Sequence, residues 1–198
     1  MRWFVSDTHF FHKSIIKFSR RPFKDVQEMN STIIRNWNNR VSENEEVWFL
    51  GDLAFKVKKS TVEALISRLH GRIHFIKGNH DDRYLPMLRN MVGNGNKILS
   101  VRDVAYIKMM DGQKAMLCHY PMYSWRGKFH GRYHIYGHIH NSETEYTRMF
   151  PTALNVSVEA TNYEPLSEKE VIERIKEREK NYENTTGKVW GELEYEES

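Results

Sequence analysis

Residues 3–9, Trp-Phe-Val-Ser-Asp-Thr-His, decide how this chain is read: three apolar residues suited to a buried strand run directly into polar residues that include Asp7 and His9. The pattern recurs. Val47 to Leu50 leads into Gly51 and Asp52, Ile73 to Ile76 into Gly78, Asn79 and His80, and Met116 to Cys118 into His119. Short apolar runs of this kind read as strands buried on both faces. Each delivers its polar residues at the carboxyl end, where open α/β sheets form their ligand crevices.

Helical signals lie between the strands. Asp25 and Glu28 form a capping box ahead of Met29, Ile33 and Trp37, which share one helical face. A second helix is predicted from Ser60, with Glu63 three residues on, burying Leu65 and Leu69 and stopping at Gly71. Alternating strand and helix argues for an α/β fold. Ala105 to Met110, the turn Asp111-Gly112, and Lys114 to Cys118 read as a hairpin, so at least one sheet is mixed. Ile135 and Tyr136, then Ala153 to Val158, read as further strands.

Ser167 and Glu170 make another capping box, opening a helix with Val171, Ile172 and Ile175 on its apolar side. The pattern fails beyond Asn181, and Glu192 to Ser198 reads as a mobile acidic end. The expected organisation is one domain over 1–166, a C-terminal helix over 167–180 packed on it, and an acidic tail over 181–198.

The 198 residues suffice for one domain with a substantial core. Hydrophobic residues at 39% and charged residues at 28% exclude a disordered chain. No apolar run approaches the roughly 18 residues of a membrane helix, and no export signal opens the chain, so the expectation is a cytoplasmic protein with no membrane contact. The single Cys118 forms no internal disulfide and is assigned to the core. The net charge of +4 is asymmetric: residues 167–198 hold 10 acidic and 6 basic side chains, leaving 24 basic and 16 acidic in the rest. A basic body either favours phosphate-bearing partners or only serves solubility.

Ten histidines, several clustered with acids, amides and glycines, point to metal chemistry. Residues two apart in an extended segment share a face, so Asp7 and His9 can converge on one ion. His138 and His140 have the same spacing after Gly137, which lets the backbone bend close, and each can reach a different metal. A carboxylate has two oxygens, so Asp52 can bridge two cations. Asn79 adds a neutral carbonyl oxygen.

The ordered set Asp7 and His9, Gly51-Asp52, Gly78-Asn79-His80-Asp81, His119, and Gly137-His138-Ile139-His140 resembles the calcineurin-like metallophosphoesterases. The resemblance spans residues 3 to about 158. It implies two packed mixed β-sheets flanked by helices, a four-layer α/β/β/α sandwich with the catalytic domain in 1–166. It also implies Asp7, His9, Asp52 and His140 around one ion and Asp52, Asn79, His119 and His138 around the other, with His80 catalytic and not a ligand. Two ions about 3.5 to 4 Å apart can activate a water held between them and neutralise the phosphoryl oxygens. His80 could protonate the departing oxygen or steady charge. The N/O donor set suits manganese, iron, nickel or zinc, with manganese the expected metal.

This chain departs from the family's protein-phosphatase branch, which carries an aspartate where Phe55 stands and an arginine where Lys56 stands. A phosphoprotein substrate is therefore disfavoured. Asp81 or Asp82 either orients His80 or serves a supporting or solvated role.

Between His119 and His138 the chain mixes aromatic and basic residues: Trp125, Arg126, Phe129, Arg132 and Tyr133 among them. Such a loop suits a nucleotide or single-stranded nucleic acid, with bases stacked on rings and phosphate on arginine, or its aromatics anchor the loop on the core. Candidate substrate contacts are Asn79, His12, Trp125, Arg126 and Arg132. His12 is otherwise a surface histidine. Arg20, Arg21 and Lys24 form either a phosphate-binding lip or a solvated face. His70, His74, His130 and His134 read as structural, and Asn155 as a candidate brace for a ligand loop.

The leading expectation is a phosphodiesterase acting on small phosphate esters, nucleotides or cyclic nucleotides. The alternatives are a nuclease or nucleic-acid end-processing phosphatase, and a binding module that keeps the fold without turnover. The charged C-terminal helix could also dock a partner or a second copy of the chain.

Overall fold

A computed structural model describes residues 1–93, 95–142 and 145–190. Nine strands are present among them: β1 Arg2–Val5, β2 Glu46–Phe49, β3 Arg72–Ile76, β4 Ile98–Arg102, β5 Val104–Lys108, β6 Lys114–Cys118, β7 Tyr133–Tyr136, β8 Ala153–Asn155 and β9 Leu166–Ser167. The α-helices are α1 Lys13–Phe18, α2 Val26–Arg40, α3 Lys59–Arg68, α4 Leu85–Asn90, α5 Glu145–Met149 and α6 Glu168–Thr186.

The strands form two sheets, and both are mixed. One has the order β4-β3-β2-β1-β9, parallel except where β9 pairs antiparallel with β1. The other has the order β5-β6-β7-β8, with an antiparallel β5–β6 hairpin and parallel pairs beyond it. The period of two along β1 explains how the first sheet is buried on both sides. Trp3 and Val5 face a core with α2, α3 and α4, including Met29, Ile33, Trp37, Leu65 and Leu88. Phe4 faces the other way, into the core between the sheets, with Trp48, Leu117, Ile135 and Leu154. Helix α6 seals the margin of that core with Val171, Ile172 and Ile175. On the far side of the second sheet, Met116 and Tyr136 pack under Trp125, Tyr146 and Phe150. The layers are therefore helix, sheet, sheet and a thin outer layer of α5 and the 120–132 loop.

Capping chemistry set two helix starts as expected: Glu28 N donates to the Asp25 carboxylate, and Ser167 and Glu170 form the full capping box. Three boundaries differ. Helix α3 starts at Lys59 rather than Ser60, and its N-cap Lys58 makes no side-chain cap bond among the described residues. The strand predicted over 153–158 ends at Asn155, whose Oδ1 accepts from Ser157 N at 2.9 Å and turns the chain into a short 3-10 segment. Helix α6 continues past 180 to Thr186 and stops at Gly187 (φ 68°). The acidic run 191–198 lies outside the described residues. No helix among the described residues is long and apolar enough to cross a membrane.

Candidate metal centre

The parallel strands point their carboxyl ends to one side of the molecule. Asp7 and His9 follow β1, Asp52 follows β2, Asn79 and His80 follow β3, His119 follows β6, and His138 and His140 follow β7. The two sheets meet there through a parallel bridge between Ser6 and Ser157. Asp7, His9, Asp52, His138 and His140 all have positive φ, at 57°, 47°, 60°, 72° and 53°. Non-glycine residues adopt that region rarely, and each such residue stores about 1 to 3 kcal/mol. The strain turns these side chains inward at the strand ends.

Two clusters share this space. Asp7, His9 and His140 form one, and Asp7, Asp52 and His119 another. His9 Nε2 is 3.4 Å from Asp52 Oδ2, and His119 Nε2 is 3.6 Å from the same oxygen, so Asp52 lies between the two imidazoles. Asn79 Oδ1 lies 3.0 Å from both His119 Nε2 and His138 Nδ1. His119 Nδ1 sits 2.7 Å from the Leu50 carbonyl, which can only accept, so Nδ1 carries a proton and the other ring nitrogen, Nε2, faces Asn79. Asp7 Oδ1 and His9 Nε2 are buried with no hydrogen-bond partner among the described residues. Buried polar atoms without partners are costly unless a cation lies among them. The donor set therefore fits metal ions.

Surrounding residues aim the donors. Asp7 Oδ2 accepts from Ser6 Oγ, Ser157 Oγ and His138 N at 2.6, 2.9 and 2.9 Å, which leaves Oδ1 for an ion. Gly137 has no room for a side chain, because a Cβ would strike Ser6 and the Asp7 carboxylate. Buried Asp81 accepts from Asp52 N, Leu53 N and Gly78 N, tying the loops after β2 and β3 together. His140 Nδ1 bonds Glu159 at 2.8 Å, which turns Nε2 towards Asp7. Arg21 in turn pairs with Glu159 at 2.7 Å and donates to the Asp7 and Thr8 carbonyls at 2.7 and 2.8 Å. Asn155 Nδ2 donates to the His140 carbonyl at 2.7 Å.

Electrostatics match. Burial pushes His9 well below its ordinary value, with His140 and Arg21 adding to the effect. Burial likewise lowers His138 and His80. Neutral imidazoles are the form that binds metal. Burial raises Asp52 to about 7 against the pull of His119, with Asp7 adding to the rise. His140 is raised, because the Glu159 hydrogen bond and charge outweigh burial.

Other candidate residues are placed differently. His80 sits beside the cluster, its ring edge-on to Phe55 and its backbone N–H donating to Asp52 Oδ1 at 2.9 Å. Its Nε2 is 3.9 Å from Asp52 Oδ2. Asp81 holds the loops rather than His80, and Asp82 pairs with Lys77. His12 is buried, not a surface residue: its ring stacks on Phe55 at 3.7 Å and its Nδ1 is 3.5 Å from His9 Nδ1.

Arg21 is likewise buried rather than part of an exposed lip. Trp125 is buried, its Nε1 donating to the Arg132 carbonyl, so it anchors the loop. Arg126 and Arg132 lie at the opposite end of β7 from His138, in a groove with Lys114. The structure thus gathers the seven ligand candidates, His80 and His12, and does not bring Trp125, Arg126 or Arg132 to them. Tyr120 does reach the rim, its ring 4.8 Å from that of His138.

A four-layer α/β sandwich with carboxylates, imidazoles and an amide converging at its strand ends is the architecture of a metal-dependent phosphoesterase. Residues 2–157 match the family model described as a calcineurin-like phosphoesterase superfamily domain. The chain belongs to that superfamily. It is 42% identical over 169 residues to an uncharacterized protein of Methanocaldococcus jannaschii, covering 83% of this chain and 85% of that one. It is 30% identical over 161 residues to the gene 66 protein of Mycobacterium phage L5, covering 70% and 77%. A crystal structure of a protein of unknown function from Aquifex aeolicus shares the fold, with a TM-score of 0.68 at 24% identity over 87% of this chain and 98% of that one.

Proposed function

We propose that this protein is a phosphodiesterase that hydrolyses nucleotide-type diesters, cyclic ones included, with two divalent ions, manganese by preference. The observation that carries the two-ion reading is Asp52 lying between His9 and His119, at 3.4 and 3.6 Å, with unpartnered Asp7 Oδ1 on one side and Asn79 Oδ1 on the other. Asp7, His9, Asp52 and His140 would hold one ion; Asp52, Asn79, His119 and His138 the other. When bound, such ions supply an activated water and positive charge against the phosphoryl oxygens.

The chain's own residues do the rest. Asp7 and Asp52 orient their carboxylates through the backbone and serine donors described above. His80 is partly exposed at the cluster's edge, held by its backbone bond to Asp52 and by Phe55 against its ring, and it can donate a hydrogen bond to a non-bridging or departing oxygen. The diester reading is supported by Phe55 and Lys56, which stand where the phosphatase branch has an aspartate and an arginine. His12 and Phe55 give that side of the site an aromatic wall suited to an organic leaving group.

The test is hydrolysis of bis-p-nitrophenyl phosphate and p-nitrophenyl phosphate by protein loaded with manganese, iron, nickel or zinc, followed by 2′,3′- and 3′,5′-cyclic nucleotides. Diester turnover that exceeds monoester turnover and collapses in His80→Ala is expected. Monoester preference, or no effect of His80→Ala, refutes the proposal.

A further inference from the structure

Lys108 and Lys114 face each other directly across the β5–β6 hairpin. Like charges in that position destabilise a sheet. Lys108 is two residues from Tyr106 on the same face, and Tyr106 is 56% exposed. Arg126 and Arg132 approach from the 125–132 loop, and the five side chains line one groove of about 240 Å³. None of the four cations has an ion-pair partner among the described residues. Asp111, in the intervening turn, accepts instead from Tyr133 Oη at 2.7 Å and Gln113 N at 3.1 Å.

Lysines on an edge strand ordinarily guard against edge-to-edge pairing. That role needs no arginines from a separate loop and no concavity. The groove lies at the amino ends of β6 and β7, whereas His119 and His138 follow their carboxyl ends. The five residues of β6 put it about 16 Å from the metal centre.

We infer that this groove binds a single-stranded nucleic acid, with its phosphates on Lys108, Lys114, Arg126 and Arg132 and a base stacked on Tyr106. Cations spread over two strands and a loop follow a chain of phosphates rather than one small anion, and an exposed ring accepts any base on its face. Binding here is separate from the reaction at the metal centre and is measured separately.

The experiment is fluorescence anisotropy with a fluorescein-labelled 12-nucleotide single strand, DNA and RNA in turn, titrated with the 198-residue chain, with a gel to confirm that the probe stays intact. Lys108→Glu/Arg126→Glu, both exposed positions, should weaken binding at least tenfold and flatten the log Kd against log salt slope by about 1.4. Tyr106→Ala should weaken it about fivefold or more. Melting curves check the fold, and Lys108→Gln/Arg126→Gln should weaken binding in the same direction should the reversal variant not fold. Wild-type affinity in these variants overturns the inference. So does absence of oligonucleotide binding, or binding to phosphatidylserine vesicles in its place.

Discussion

Arg21→Met is the perturbation whose cost can be worked most directly from the structure. The Arg21 side chain is fully buried, as is that of Glu159 at 2% exposure, and the two meet at 2.7 Å. Removing one partner of a buried pair costs about 3 to 5 kcal/mol, and the lower end applies here because Glu159 keeps its 2.8 Å bond to His140. The Asp7 and Thr8 carbonyls lose charged donors as well, each bond being worth about 1.5 to 3 kcal/mol on its own. These losses share one side chain and do not add in full, so a loss of about 5 kcal/mol is expected. That is the lower end of a whole domain's stability.

Urea unfolding of the chelator-treated protein measures it. Arg21→Met/Glu159→Gln, which removes the charge left without Arg21, should recover about 2 kcal/mol of the loss. Glu159 is held below its ordinary value of 4.5, since His140 and Arg21 overcome burial. The pair's contribution is therefore full above about pH 4.5 and fades as the pH falls through the folded value, so wild type and Arg21→Met should converge in acid. A loss below about 1 kcal/mol, or a double variant no better than the single, refutes this account of the brace.

Three further outcomes are expected. Gly78→Ala places a methyl group on the Asp52 carboxylate and should cost about 1 to 3 kcal/mol in a thermal melt and lower bound metal by elemental analysis. His119→Ala should leave about one tightly held ion in place of two on the same analysis, whereas His12→Ala, outside the donor set, should leave the metal count unchanged. Burial lowers His134 to about 4, with the Met116 and Tyr120 carbonyls opposing. Its depressed value means stability is lost as pH falls from 6.5 towards 4, by about 3 kcal/mol for this group. Replacing it with Gln should flatten that part of the profile of melting temperature against pH.

The strands that carry the ligands were legible because parallel strands buried on both faces must be continuously apolar and must end abruptly in polar residues. Trp3-Phe4-Val5 and Val47 to Leu50 show that edge plainly, and the ligand types at their ends carry their own chemistry. The brace was not legible. Arg21 and Glu159 are 138 residues apart, and Arg21 sits in a basic run that reads as a phosphate-binding lip or a solvated face. Nothing local to either marks it as buried. Strand β4 was missed because Ile98 to Arg102 is short and half polar, and β9 because two residues carry no period. The aromatic-basic loop was ambiguous for a different reason. Composition shows that Trp125 and Arg132 are near each other, but not which one turns inward. The indole went to the core and the guanidinium to the far groove.

Asp7, His9, Asp52 and Asn79 come from the first sheet, and His119, His138 and His140 from the second. Each proposed ion position thus draws on both sheets, across the seam where Ser6 meets Ser157. An ion held there would be a cross-brace between the two halves of the sandwich as well as a reagent. It would make the register of one sheet against the other answerable to metal supply, so saturating metal should raise the melting temperature of the whole fold and chelation should loosen the seam first.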